Sequence, residues 1–299
     1  MFDKVVVIGV GLIGGSFALA LKRAGAARDI VGMGRSQQAL ERALALGIVD
    51  SITTSPAEAM AGASLVLIAA PVAQTQAILA SLAPFLEADT VITDAGSTKS
   101  DVVAAARAAL DDKIGQFVPG HPIAGRESNG PDAAIADLYV GKKTVITALA
   151  ENRPGDIERV AAAWQACGAV IHRLTPQEHD KVFAAVSHLP HLLAFALVDD
   201  IANKPHADLL FQYAASGFRD FTRIAGSSSE MWRDISLANR EALLGELDAY
   251  LAQLSSLRAK LADSDGAAIE AVYANARRAR RTWTGEIEAA EQSAPRTAE

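Results

Sequence analysis

Short apolar runs alternate with longer amphipathic stretches through the first half of the chain. Residues 4–8, 29–33, 65–69, 90–93 and 117–119 read as strands, and 143–147 and 169–172 add two more. Between them, 12–24, 37–46, 73–82, 100–110 and 155–166 carry apolar side chains at helical spacing. Strands that alternate with helices of this length predict an α/β fold with a doubly wound parallel sheet. The rhythm changes after Leu174. Thr175-Pro176-Gln177-Glu178 offers an N-cap followed by proline at the first helical position. From there to about Trp283 the pattern is helical throughout, with breaks near Pro205, Gly217 and Gly226. The expected organisation is a sheet domain over 1–174, an all-α domain over 175–285 and a polar, disordered tail over 286–299.

Within the helical half, Leu247, Leu251, Leu254 and Leu261 follow a heptad-like spacing. They either pack inside their own domain or form a seam with a second copy. A further helix is expected from Gly266 to Arg281.

Composition narrows the function classes. Half of the 299 residues are hydrophobic and 21% are charged, which suits a globular chain long enough for two cores. A net charge of -7 speaks against nonspecific binding to nucleic acid, while leaving room for a local basic pocket. The single cysteine, Cys167, lies in an apolar stretch and reads as a small buried hydrophobe. No uninterrupted apolar run approaches the ~20 residues that cross a bilayer. The N-terminus opens directly on a strand without a leader signal. A cytoplasmic location without a membrane partner is therefore expected.

Gly9-Val10-Gly11-Leu12-Ile13-Gly14 follows the first strand and opens the first helix. That is the context in which GxGxxG binds a dinucleotide. Gly9 makes the turn, Gly11 admits the pyrophosphate, Gly14 lets helix and strand pack, and the N–H groups around Leu12 and Ile13 face the phosphates. The first domain is thus expected to be of the Rossmann type. The second strand ends Gly32-Met33-Gly34-Arg35-Ser36, with no acid to hold a ribose 2′-hydroxyl. An arginine there can pair with a 2′-phosphate, so Arg35 and Ser36 favour NADP over NAD. Alternatively, Arg35 lies on the adenine face and serves either cofactor.

Four clusters carry the remaining chemistry. His121, in Gly120-His121-Pro122, follows a predicted strand end. Its imidazole suits a base that takes an alcohol proton as hydride leaves the same carbon, although a lone histidine is often structural. Ser97, in Asp94-Ala95-Gly96-Ser97-Thr98-Lys99, either bonds the substrate oxygen or nicotinamide or caps the next helix. His188 and His191 lie three apart, with Pro190 between them. No fourth ligand stands at metal spacing, so one is expected to bind substrate and the other to be structural. Arg219, Asp220 and Arg223 follow Gly217, which reads as a helix end. Arginine forks suit carboxylates, and Phe218 and Phe221 imply a partly packed segment.

In this order, and with Ser229-Glu230-Met231-Trp232-Arg233-Asp234-Ile235 and Asn239 behind them, the clusters resemble the prephenate and arogenate dehydrogenases. The resemblance covers roughly 4–283. It implies oxidative decarboxylation of prephenate with hydride transfer to NAD(P), or the corresponding reaction of arogenate or of both substrates. His121 would be the base, and Ser97 would hold the ring hydroxyl. Arg223 would bind a carboxylate. His191, with Ser187 and His188 alongside, would meet the substrate side chain. Asp220 would support the cluster, and Glu127 and Trp232 would gate the pocket. It also implies a homodimer through the helical domain. A cationic His191 would favour the keto acid over the amine. Another dehydrogenase with Lys181 as its acid or base, or a dinucleotide sensor without turnover, are the competing readings.

Overall fold

The structure is a computed structural model that describes residues 1–126 and 128–293; of 287–293 only the helical backbone is described. The chain forms two compact units, 1–243 and 244–299.

Six strands make a wholly parallel sheet in the order β3-β2-β1-β4-β5-β6. They are β1 (Phe2–Ile8), β2 (Ala27–Met33), β3 (Ser51–Thr53), β4 (Leu65–Ile68), β5 (Val91–Asp94) and β6 (Phe117–Val118). Val5 and Val7 of β1 point into one core and Val6 and Ile8 into the other. Successive strand residues face opposite ways, and helices cover both faces. That is why these strands read as unbroken apolar runs. The covering helices are α1 (Leu12–Arg23), α2 (Gln37–Ala45), α3 (Pro56–Met60), α4 (Thr75–Leu82), α5 (Ser100–Leu110) and α6 (Pro154–Ala166). Cys167 is buried beside α6, with its thiol pushed up by burial. The strand order reverses beside β1, which opens a crevice at the strands' carboxyl ends.

One sheet was the expectation, and there are two. A second sheet in the order β7-β8-β9 comprises β7 (Gly120–Pro122), β8 (Lys143–Ile146) and β9 (Val170–Arg173), with β7 antiparallel to β8. The division falls at Pro119, which has no N–H to continue the ladder and instead accepts a bond from Thr147 N. The short β3 and α3 also go beyond the expectation, since three and five residues carry no readable period.

Thr175 and Glu178 form a capping box at the head of α7 (Pro176–Phe183). One π-helical turn, Ala184–His188, joins α7 to α8 (Leu189–Ala202). Then come α9 (Ala207–Gln212), α10 (Ser216–Thr222), α11 (Ser229–Ala238), α12 (Arg240–Ala262) and α13 (Gly266–Ser293). Three expectations change here. Gly217 lies inside the first turn of α10 rather than ending a helix. The region expected to be a tail is helical through Ser293, because Glu286, Glu288, Ala289 and Ala290 are good helix formers; 294–299 lie outside the described residues. The stretch Pro176–Ala202 is long and apolar enough, by length and composition, to cross a membrane. Uninterrupted runs miss it because Ser187, His188, Pro190 and His191 break the apolar sequence. Only 28% of its apolar window is buried in the chain, although His179, Asp180 and His188 on it are buried and hydrogen-bonded.

At Gly14, a Cβ would lie 2.2 Å from the Gly9 carbonyl oxygen and 2.8 Å from Val7 Cγ1. Gly14→Ala should therefore lower stability by roughly 1–3 kcal/mol, read as a lower urea midpoint. An unchanged midpoint would mean that α1 can lift off β1 without cost.

Candidate active site

The crevice at the ends of β1, β2 and β4 has a volume of about 800 Å³, with Gly9, Gly11, Arg35, Ser36, Gln74 and Pro131 among its lining residues. Gly9 sits at φ +91°, and a Cβ there would lie 2.5 Å from the Ala69 carbonyl oxygen. Gly11 caps α1 with no side chain, and nothing lies within 4 Å of where its Cβ would be. The first N–H groups of α1 are thus left open to an anion, and this cradle fits a dinucleotide pyrophosphate. Leu12 contributes only backbone, since its side chain is buried, and the Ile13 carbonyl accepts the Tyr139 hydroxyl. Ser36 accepts a bond from Ala39 N and so caps α2. Arg35 stands exposed on the rim.

A buried polar chain begins at the ends of β5 and β6. Asp94, the last residue of β5, accepts Lys99 Nζ at 2.5 Å and Gly96 N at 2.8 Å on one oxygen, and Gly120 N at 3.0 Å on the other. One carboxylate therefore fixes both the Ser97 loop and the strand that carries His121. Lys99 is fully buried, which a lysine tolerates only when paired. Gly96 must be small: its Cβ would meet Asp94 Oδ2 at 2.8 Å and Val72 Cγ1 at 2.9 Å. Val72 adjoins the crevice-lining Pro71, so the Ser97 loop lies beside the dinucleotide cleft.

His121 lies within β7, opposite Val145, rather than at a strand end of the main sheet. Its Nδ1 is 2.8 Å from His179 Nε2, and His179 Nδ1 is 2.9 Å from Asp180 Oδ1. Phe183 packs on both rings, with centroids at 4.8 and 4.4 Å. Asp180 also accepts Lys99 N and Ser100 N, each at 2.8 Å. It thus caps α5 from 80 residues away, and Ser97 is not that cap. Burial, together with His179 and Lys99, holds the His121 imidazole well below its ordinary range. Burial lowers His179 too, partly offset by Asp180. Burial alone would raise Asp180, but bonds from His179, Ser100 and Lys99 prevail and hold it below the usual carboxylate range.

The remaining expected residues separate into three groups. His188 is buried rather than open to substrate. Asn239 donates to its Nδ1 at 3.0 Å and to the Asp180 carbonyl at 2.8 Å, so His188 belongs to the scaffold under Ser97. His191 stacks on Trp232, with centroids at 3.5 Å and planes 19° apart, and its Nδ1 lies 2.9 Å from the Ser187 carbonyl. That carbonyl can only accept, so the proton is on Nδ1. Burial lowers the ring's pKa despite Ser187, and Arg223 lowers it further. Both effects disfavour the cationic form on which the charge argument for the keto acid over the amine rests. Arg223, at the turn after α10, and Asp220 are exposed, as is Phe221; the partial packing expected of this segment rests on Phe218, half-buried against Phe211. Glu127 lies outside the described residues.

His179, Asp180, Lys99, Asp94 and Asn239 have no role in the sequence reading. Adjacent His179-Asp180 just inside a capped helix was the available signal. Among the described residues no group of three His, Cys, Asp or Glu could hold a metal ion.

The family model described as the prephenate dehydrogenase nucleotide-binding domain matches residues 17–173, and that of the prephenate dehydrogenase dimerization domain matches 175–273. Cyclohexadienyl dehydrogenase of Zymomonas mobilis is 36% identical over 89% of this chain and 91% of that protein. The crystal structure of Aquifex aeolicus prephenate dehydrogenase with hydroxyphenyl propionate and NAD+ has a TM-score of 0.89 at 35% identity, covering 94% of this chain and 98% of that one. Synechocystis arogenate dehydrogenase has a TM-score of 0.79 at 28% identity, covering 94% and 99%.

The scaffold histidine sets an acid limit. His188 is pushed down to about 4 by burial, against an ordinary 6.5. The unfolded chain then binds the extra proton between those values, so this contribution to stability is lost as pH falls from about 6.5 to about 4. The loss amounts to up to roughly 3 kcal/mol. Urea midpoints of the wild type and His188→Gln across this window should show a shallower fall in the variant. Parallel curves would mean that His188 protonates without penalty.

Proposed function

Since the chain belongs to the prephenate dehydrogenase family, we propose that it oxidises prephenate and releases carbon dioxide, forming 4-hydroxyphenylpyruvate in tyrosine biosynthesis, with His121 as the base. The observation that carries this is a half-buried imidazole held by a hydrogen-bonded chain, on a strand that Asp94 ties to the loop adjoining the dinucleotide crevice. A bound nicotinamide dinucleotide supplies the acceptor for hydride from the ring carbinol carbon. His121 takes the hydroxyl proton as that hydride leaves. Ser97, on the loop fixed by Asp94, holds the hydroxyl in register. The C–C bond to the ring carboxylate then breaks, its electrons aromatise the ring, and the proton returns to the phenol oxygen. Arg223 offers its fork to a substrate carboxylate, and His191 meets the side chain with Ser187 alongside. Trp232, stacked on His191, borders the entrance, and Asp220 supports the arginine.

NADP is favoured over NAD, because β2 ends without an acid and Arg35 stands at the rim. A homodimer through the helical domain accounts for the exposure of Leu251, Leu254 and Leu261 in the single chain. We place the enzyme in the cytoplasm and propose functional domains over 1–174 and 175–285, a division supported by the two family-model matches, 17–173 and 175–273. One observation favours a second substrate. With its Nδ1 proton on the Ser187 carbonyl and the cationic form disfavoured by burial, His191 offers Nε2 as an acceptor, which suits the ammonium group of arogenate, so both substrates are expected to turn over.

Reduced-cofactor absorbance with prephenate or arogenate, each with NAD or NADP, tests the reading. Signal is expected with both substrates; silence from folded protein that binds cofactor would favour a dinucleotide sensor. His121→Asn should keep cofactor binding and lose about 100-fold or more in turnover, and retained turnover would remove it as the base. Arg35→Ala should raise KM for NADP by about tenfold or more and leave NAD nearly unchanged. Equal effects on both would place Arg35 on the adenine.

A further inference from the structure

We propose that His179 and Asp180 are positioning residues that lock His121 in the tautomer with a bare Nε2 and receive the positive charge that forms during turnover. This rests on His121 being the base.

The lock follows from counting protons along the chain. The Asp180 carboxylate has no proton to give. It accepts from Lys99 N, Ser100 N and His179 Nδ1. His179 therefore carries its proton on Nδ1 and presents a lone pair at Nε2. That lone pair lies 2.8 Å from His121 Nδ1. Two ring nitrogens at this distance must share one proton, or two lone pairs face each other. The proton then belongs to His121 Nδ1, and Nε2 is left free to accept from the substrate hydroxyl. His179 is fully buried, and Phe183 packs at a tilt against both rings, which restricts their turning to other partners.

The same chain disperses charge. When the substrate O–H bond breaks, an N–H bond forms at His121 Nε2. The Nδ1 proton can then pass to His179 Nε2, which moves the positive charge next to Asp180. The charged groups that face His179 are Asp180 and the Asp94–Lys99 pair, and that pair neutralises itself. His188, the other titrating neighbour of this cluster, is neutral. Asp180 is thus the uncompensated charge that bonds to His179; Asp101, raised above the usual carboxylate range by burial, interacts with Asp180 and Lys99. The reverse transfer returns the proton to the phenol oxygen after carbon dioxide leaves.

The test combines imidazole nitrogen NMR with kinetics on full-length wild type, His179→Leu and His179→Gln; His121→Asn assigns the His121 signals. The wild type should show His121 protonated at Nδ1 alone. His179→Leu should lose that single tautomer and at least about tenfold in kcat, with dinucleotide binding and KM little changed. In His179→Gln the amide oxygen can accept from His121 and the amide nitrogen can donate to Asp180. This variant should recover the tautomer and part of kcat, but not the share that needs a proton-accepting ring. A wild-type His121 protonated at Nε2 overturns the proposal, and so does a His179→Leu enzyme with unchanged kcat. Full recovery by glutamine would leave the lock and remove the charge transfer. If His179→Leu does not fold, the wild-type spectrum and the glutamine variant still decide. If His121→Asn retains turnover, the base assignment falls by itself, and the spectra still read the lock.

Discussion

The carboxylate of Asp180 accepts three N–H groups from two distant parts of the chain, and the site's geometry follows from that meeting. Two of the donors are the first amides of α5, where the helix N-terminus already favours a negative charge. The third is His179, which passes the constraint on to His121. A buried carboxylate pays a large desolvation penalty, which only several charge-assisted bonds can offset. Here every donor doing so is also a part of the site that has to be placed.

Asp94 works in the same manner on the other side. Its two oxygens hold the Ser97 loop and the His121 strand together, and Lys99 balances its charge. These carboxylates make the two candidate catalytic side chains depend on backbone hydrogen bonds rather than on loop conformation. The dinucleotide cradle is built differently, by the absence of side chains at Gly9, Gly11 and Gly14. Rigid charge placement and open backbone thus stand next to each other across Val72.

Much of this was legible in the sequence where the signal is periodic or local. The main strands and their helices are legible because burial on both faces leaves continuous apolar runs, and the glycine fingerprint sits in its required context. β7 was not, since three residues have no period. His179 and Asp180 escaped notice because polar residues early in a helix ordinarily face water; only tertiary packing buries them. His191 misled for a related reason. Its residue type suggests a cation, but burial and the neighbouring Arg223 disfavour the charged form. The tail misled because polarity without an apolar stripe resembles disorder, although its residues individually favour helix.

The π-helical turn at Ala184–His188 has a consequence for how the site can vary. Such a turn amounts to an α-helix carrying one additional residue, and each residue of an α-helix advances the chain by about 100°. His179 and Phe183 precede it, His188 is its last residue, and His191 follows it. The angular phase between the half that carries His179 and the half that carries His191 is therefore indexed by a single inserted position. Lineages that lost it would keep the helix, its length and its hydrophobicity, yet point His191 elsewhere. In this helix an indel is a rotation.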